Sequence, residues 1–71
     1  MKSKIKLLDV VALLKPLQEA GLQAGQVGTV VEILKKDVFE VEFCDKQGKT
    51  LAMLPVQSND LLVLQFELER A

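Results

Sequence analysis

The sequence predicts a small, mainly β domain in which five short antiparallel strands wrap around one core. Three observations predict it. Turn signals cut the chain into short apolar runs, the spacing of a small barrel or sandwich. Gln26 to Leu34 reads as a long strand with apolar residues on both faces. Val38 to Phe43 alternates strictly, with Phe39, Val41 and Phe43 directed inward and Glu40 and Glu42 outward.

The first run, Leu7 to Leu14, admits a helical spacing, but Val10-Val11 and the Lys15-Pro16 stop suit a buried strand from about Asp9 to Leu14. Lys15 to Gly25 is then a long connection punctuated by Pro16, Gly21 and Gly25. Its middle, Leu17 to Leu22, suits a turn of helix with Leu17 and Leu22 folded inward as anchors. In the second strand, Val27, Thr29, Val31 and Ile33 fall on one face and Gly28, Val30, Glu32 and Leu34 on the other. Gly28 inside a strand marks a bulge, a bend or the close approach of another backbone.

Lys35-Lys36-Asp37 reads as a hairpin turn into the third strand, Val38 to Phe43. Asp45-Lys46-Gln47-Gly48-Lys49 is a second hairpin loop, with Gly48 as its positive-φ residue. Thr50 to Pro55 forms the fourth strand, and Pro55, lacking an N–H, marks its end or an edge. Ser58-Asn59-Asp60 predicts a 3-10 turn, Leu61 to Gln65 the last strand, and Phe66 to Ala71 an acidic tail. A long first loop and a 3-10 turn before the last strand match the order of an SH3-like barrel.

The 71 residues make one domain, residues 1–71, with its core at about residues 7–66. The composition is 49% hydrophobic and 27% charged, which is that of a globular chain and not a disordered one. The run after the basic start Met1 to Lys6 carries Asp9 and ends in Lys15-Pro16, which does not complete a secretory signal. No apolar run approaches the roughly 18 residues that span a bilayer. A single cysteine, Cys44, leaves no internal disulfide and fits a reducing, cytoplasmic setting.

Catalysis finds little support. The chain has no histidine, the commonest general base and metal ligand. Cys44 therefore has no imidazole partner, and it reads as a small half-buried hydrophobe. Glu40 and Glu42 stand roughly 7 Å apart by strand rise, a spacing open to paired-carboxylate chemistry. Alternating outward glutamates are ordinarily a solvated strand face, and no aromatic sugar platform accompanies them. Asp37, Asp45 and Asp60 lack metal-loop spacing. The expectation is a protein that is not an enzyme and holds no cofactor or metal.

Several stretches resemble an uncharacterised bacterial family known as domain of unknown function 4926. They are Leu7 to Leu14, Gly21-Leu22, Gly25-Gln26-Val27-Gly28-Thr29-Val30-Val31-Glu32, Phe39 to Thr50, and Asp60-Leu61-Leu62-Val63-Leu64. The resemblance implies a small bacterial protein, encoded beside another small protein as in toxin–antitoxin or immunity pairs. It implies no catalytic residues. Gly25 to Val31 is also similar to a segment of other SH3-like barrels, including KOW domains of ribosomal and transcription-elongation proteins and the barrel of nitrile hydratase β-subunits. There Gly25 and Gly28 would let the chain bend into the second strand.

The KOW-like segment invites an RNA-associated role. Against it, the net charge is −1, tyrosine and tryptophan are absent, and the three phenylalanines are spaced as core, which leaves neither a basic stripe nor stacking platforms. Protein binding fits better. The last third holds Leu51, Leu54, Val56, Leu61, Leu62, Val63, Leu64 and Phe66, more apolar side chains than one side of two strands can bury. Such a surplus marks a contact with another protein or with a second copy of the chain, on a face or along a free strand edge. The expected contact residues are Leu62, Leu64 and Phe66 with Glu40 and Glu42 as a polar rim, and the expected turn residues are Gly25, Gly28 and Gly48. The function expected is a non-catalytic protein-binding module, the immunity or antitoxin-like half of a bacterial pair. A KOW-like RNA-associated module and an oligomerising structural domain are the alternatives.

Overall fold

In a computed structural model, which describes residues 5–64, the chain forms five strands and two short 3-10 turns. The strands are β1 (Val10–Leu13), β2 (Val27–Lys35), β3 (Val38–Cys44), β4 (Thr50–Gln57) and β5 (Leu61–Val63). One 3-10 turn, Gln18–Ala20, lies in the long first connection, and the other, Ser58–Asp60, immediately precedes β5. All pairings are antiparallel, in the order β4-β3-β2-β1-β5. The mainly β architecture read from the sequence is therefore the one adopted, with the long first loop and the late 3-10 turn in their expected places.

The core follows from the two-residue period of the strands. Val11 and Leu13 of β1, Val30 of β2, Phe39, Val41 and Phe43 of β3, Val56 of β4 and Leu61 of β5 are buried on the inner face. Burying side chains of this size contributes about 1.5–3 kcal/mol each. The first connection closes one end of this core. Leu22 is buried, Leu17 packs against the core, and the two pair through an isolated bridge, so both act as the expected anchors.

Three details depart from the sequence reading. Strict alternation in β2 fails, because the register slips between Val30 and Glu32 and again between Ile33 and Lys35. Glu32 then stands opposite Glu40, on the same outer face as Thr29, instead of sharing the inner face with Val30. β4 runs on past the expected Pro55 to Gln57, so of the two readings of Pro55 the edge holds and the strand end does not: β4 is an edge strand, and the missing N–H breaks no necessary bond. β5 is Leu61–Val63, with Leu64 outside the strand, and the expected last residue, Gln65, lies outside the described residues.

The hairpin loops follow their turn chemistry. Asp45 Oδ1 accepts the N–H groups of Gln47 and Lys49, both at 2.9 Å, and Gly48 takes φ +84°. In the β2–β3 turn, Asp37 carries the positive φ, +63°.

Candidate outer-face binding surface

Register decides which exposed side chains lie together. Ala12 of β1 stands opposite Val27 of β2 on one side and Leu62 of β5 on the other. Leu62 is 51% exposed and Val27 45%, while the small Ala12 between them is buried. The result is an apolar row across three strands with a low point at its centre. The next row along the strands runs from Val10 through Thr29 and Glu42 to Met53. A third joins Glu32, Glu40 and Pro55. The outer face is thus apolar over β5, β1 and the start of β2, and acidic over β3 and the adjoining part of β2.

Glu40 and Glu42 are half-buried, and Glu42 accepts a hydrogen bond from the Thr50 hydroxyl. Among the described residues the ion pair formed is Lys15 Nζ to Asp60 Oδ1 at 3.5 Å, far from these glutamates in the strand order. The carboxylates of Glu32, Glu40 and Glu42 have no such partner there. Lys35 lies on the same face, opposite Val38, one row beyond them.

Of the expected contact residues, the strand register brings Leu62 onto the outer face, and Leu64, half-buried, donates its N–H to the Val10 carbonyl at 2.9 Å. Glu40 and Glu42 lie on the same side of the sheet, two strands away from β1 and one from β2. Phe66 lies outside the described residues. Val27 and Met53, the latter 52% exposed, belong to this face and were not singled out from the sequence. Alternation places Val27 on the face of Thr29, but only the ladder brings it next to Ala12.

The three glycines play different parts. Gly25 and Gly48 have positive φ in turns, whereas Gly28 sits inside β2 and faces β3. A Cβ at Gly28 would lie 2.7 Å from Val41 Cγ1 and 2.8 Å from the Glu42 carbonyl oxygen, so the position requires a close approach of the neighbouring strand.

The free edge of β4 is bordered by a shallow groove of about 760 Å³, lined by residues 15–20 of the first connection together with Leu54 and Pro55. Cys44, half-buried at the end of β3, is a free thiol. Among the described residues no cluster of three or more metal-ligating side chains forms, and no helix is long and apolar enough to cross a membrane.

A family model described as "Domain of unknown function (DUF4926)" matches residues 7–63, and the chain belongs to that family. No curated protein and no solved structure matches it.

Proposed function

We propose that this member of the DUF4926 family is a non-catalytic protein-binding module that meets its partner with the outer face of the sheet. The observation that supports this most directly is the Leu62–Ala12–Val27 row, which exposes two large apolar side chains on either side of a buried alanine across three paired strands. A face of that kind gains more from a protein partner than from water. The strand order, the long first connection and the 3-10 turn before β5 support reading the sheet as an SH3-like barrel.

The specific form of the proposal is the immunity or antitoxin-like half of a bacterial two-protein system in the cytoplasm, bound to a small protein encoded beside it. That form is supported by the family resemblance. The test is capture with tagged protein from lysate of the native cell, treated with nuclease, followed by mass spectrometry. One stoichiometric small partner, lost on Leu62→Asp, is the expected result. Recovery of ribosomal proteins that vanish with nuclease would replace this reading with the RNA-associated one. Self-association alone would replace it with the structural one.

A further inference from the structure

Three features of the outer face specify what it receives, given that the protein-binding reading holds. The first is the apolar row of Leu62, Ala12 and Val27, in which a buried alanine between two exposed larger residues makes a furrow. The second is charge. Along the strands from that row, Glu42 stands in the next row and Glu40 and Glu32 in the one after it; Glu40 and Glu42 are half-buried, and none of the three has a cation at ion-pair distance among the described residues. Half-burial weakens the screening that water gives an exposed carboxylate, so a partner cation gains more here than at a fully solvated site.

The third feature concerns the edge of the sheet. β4 is the long edge strand, and both of its ends are unsuited to accepting another strand. The ladder slips where Cys44 meets Thr50 and Phe43 meets Ala52, leaving Leu51 unopposed, and Pro55 offers no donor. Bulges and prolines are the devices that keep sheet edges from pairing. β5, the other edge, spans only Leu61–Val63, too short to template a partner strand, so a partner segment is directed to the face, where it finds no free backbone groups. It must then satisfy its own backbone hydrogen bonds, and an α-helix does so.

We infer that the outer face seats a cationic amphipathic α-helix of the partner protein. The helix lays its apolar stripe over Leu62, Ala12 and Val27 and directs lysines or arginines toward Glu42, Glu40 and Glu32. The four strands that carry these side chains set its length. Three strand spacings of about 4.8 Å give roughly 14 Å from β5 to β3, which about 10 residues of helix span.

The probe is a 14-residue amphipathic helix of leucine and lysine, titrated into the ¹⁵N-labelled full chain and followed by amide shifts. A second helix with every lysine replaced by glutamate is the control. The expected result is saturable shifts at Val10, Ala12, Val27, Thr29, Glu40 and Glu42. The double variant Glu40→Gln/Glu42→Gln, which keeps an acceptor for Thr50, should bind about tenfold more weakly, and the glutamate helix should not bind. Shifts confined to the groove of residues 15–20, shifts without saturation, or undiminished binding by the double variant would each overturn the inference. The native partner separates the two levels of the proposal. Capture undiminished by Glu40→Gln/Glu42→Gln sinks the cationic helix and leaves protein binding standing. Failure to capture any partner counts against the protein-binding reading, while the titration still decides the surface.

Discussion

Gly28 and Phe43 stand opposite each other across β2 and β3, and a Cβ on the glycine would come within 2.8 Å of the phenylalanine ring. Phe43 is fully buried, so its ring has little room to retreat. The backbone carbonyl of Glu42, at 2.8 Å from the same point, has still less. Gly28→Ala should therefore destabilise the domain by about 1–3 kcal/mol, the usual cost of overpacking. Urea unfolding would show a lower midpoint with an unchanged slope. An unaltered midpoint would mean that β2 and β3 can separate slightly at this level.

Adjacent positions of β5 have opposite roles. Leu61 is buried against Leu13, whereas Leu62 points outward beside Ala12. Leu61→Ala should cost about 2–5 kcal/mol. Leu62→Asp should change stability by no more than about 0.5 kcal/mol while abolishing partner capture. Leu64→Asp is intermediate, because Leu64 is half-buried, and should weaken both. Thermal melts of the three variants separate these outcomes. A Leu62→Asp protein that fails to fold would show Leu62 to be needed for the core.

Leu8 holds φ at +71°, a conformation unfavourable for a side chain with a Cβ, and its side chain is 70% exposed. Its N–H reaches the Val30 carbonyl at 2.7 Å, and the Lys6 N–H bonds Asp9 Oδ2 at 2.8 Å, so the turn is held from both sides. Leu8→Gly removes the strain and little packing. It should raise stability by about 1 kcal/mol, or some 4–8 °C in Tm for a domain of this size. A fall in Tm would mean that the leucine side chain packs in solution.

Asp45 organises the β3–β4 loop by accepting two backbone N–H groups with one carboxylate oxygen. Asp45→Ala should cost about 1–3 kcal/mol, and Asp45→Asn should recover part of the loss because its amide oxygen can accept the same bonds. Hydrogen exchange at Gln47 and Lys49 would rise in the alanine variant ahead of exchange in the core strands. Equal rates at both amides in all three proteins would assign the order of the loop to Gly48 instead.

Much of this fold was readable because single residues carried the signal. The alternation of Phe39, Val41 and Phe43 with Glu40 and Glu42 reports one buried face, and the structure buries those three apolar residues. Leu17 and Leu22 could be recognised as anchors because they are the large apolar residues between Pro16 and Gly25. The slip after Val30 was not readable. In a run such as Val30-Val31-Glu32-Ile33-Leu34, apolar residues occupy both faces, so an extra residue leaves no mark on the pattern. The passage of β4 beyond Pro55 depended on β4 being an edge, which is a property of the whole sheet. For the candidate site, the sequence identified Leu62 and Glu42 separately. Only the ladder from β5 through β1 and β2 to β3 puts them on one face.

β1 lies between β2 and β5, so a strand from the first fifth of the chain is completed by residues 61–63. The consecutive hairpins β2–β3 and β3–β4 need only local turns, but the β1–β5 pairing must close a loop of some fifty residues (Leu13↔Leu61, Ala12↔Leu62). Closure over that distance is entropically slow compared with hairpin formation. During synthesis, the three-stranded meander can assemble while β1 still lacks its outer neighbour, and Val11 and Leu13 then wait at an incomplete sheet. β5, the last of these five strands to emerge, is therefore the one that completes the sheet around β1, and it also delivers Leu62 to the face proposed to bind.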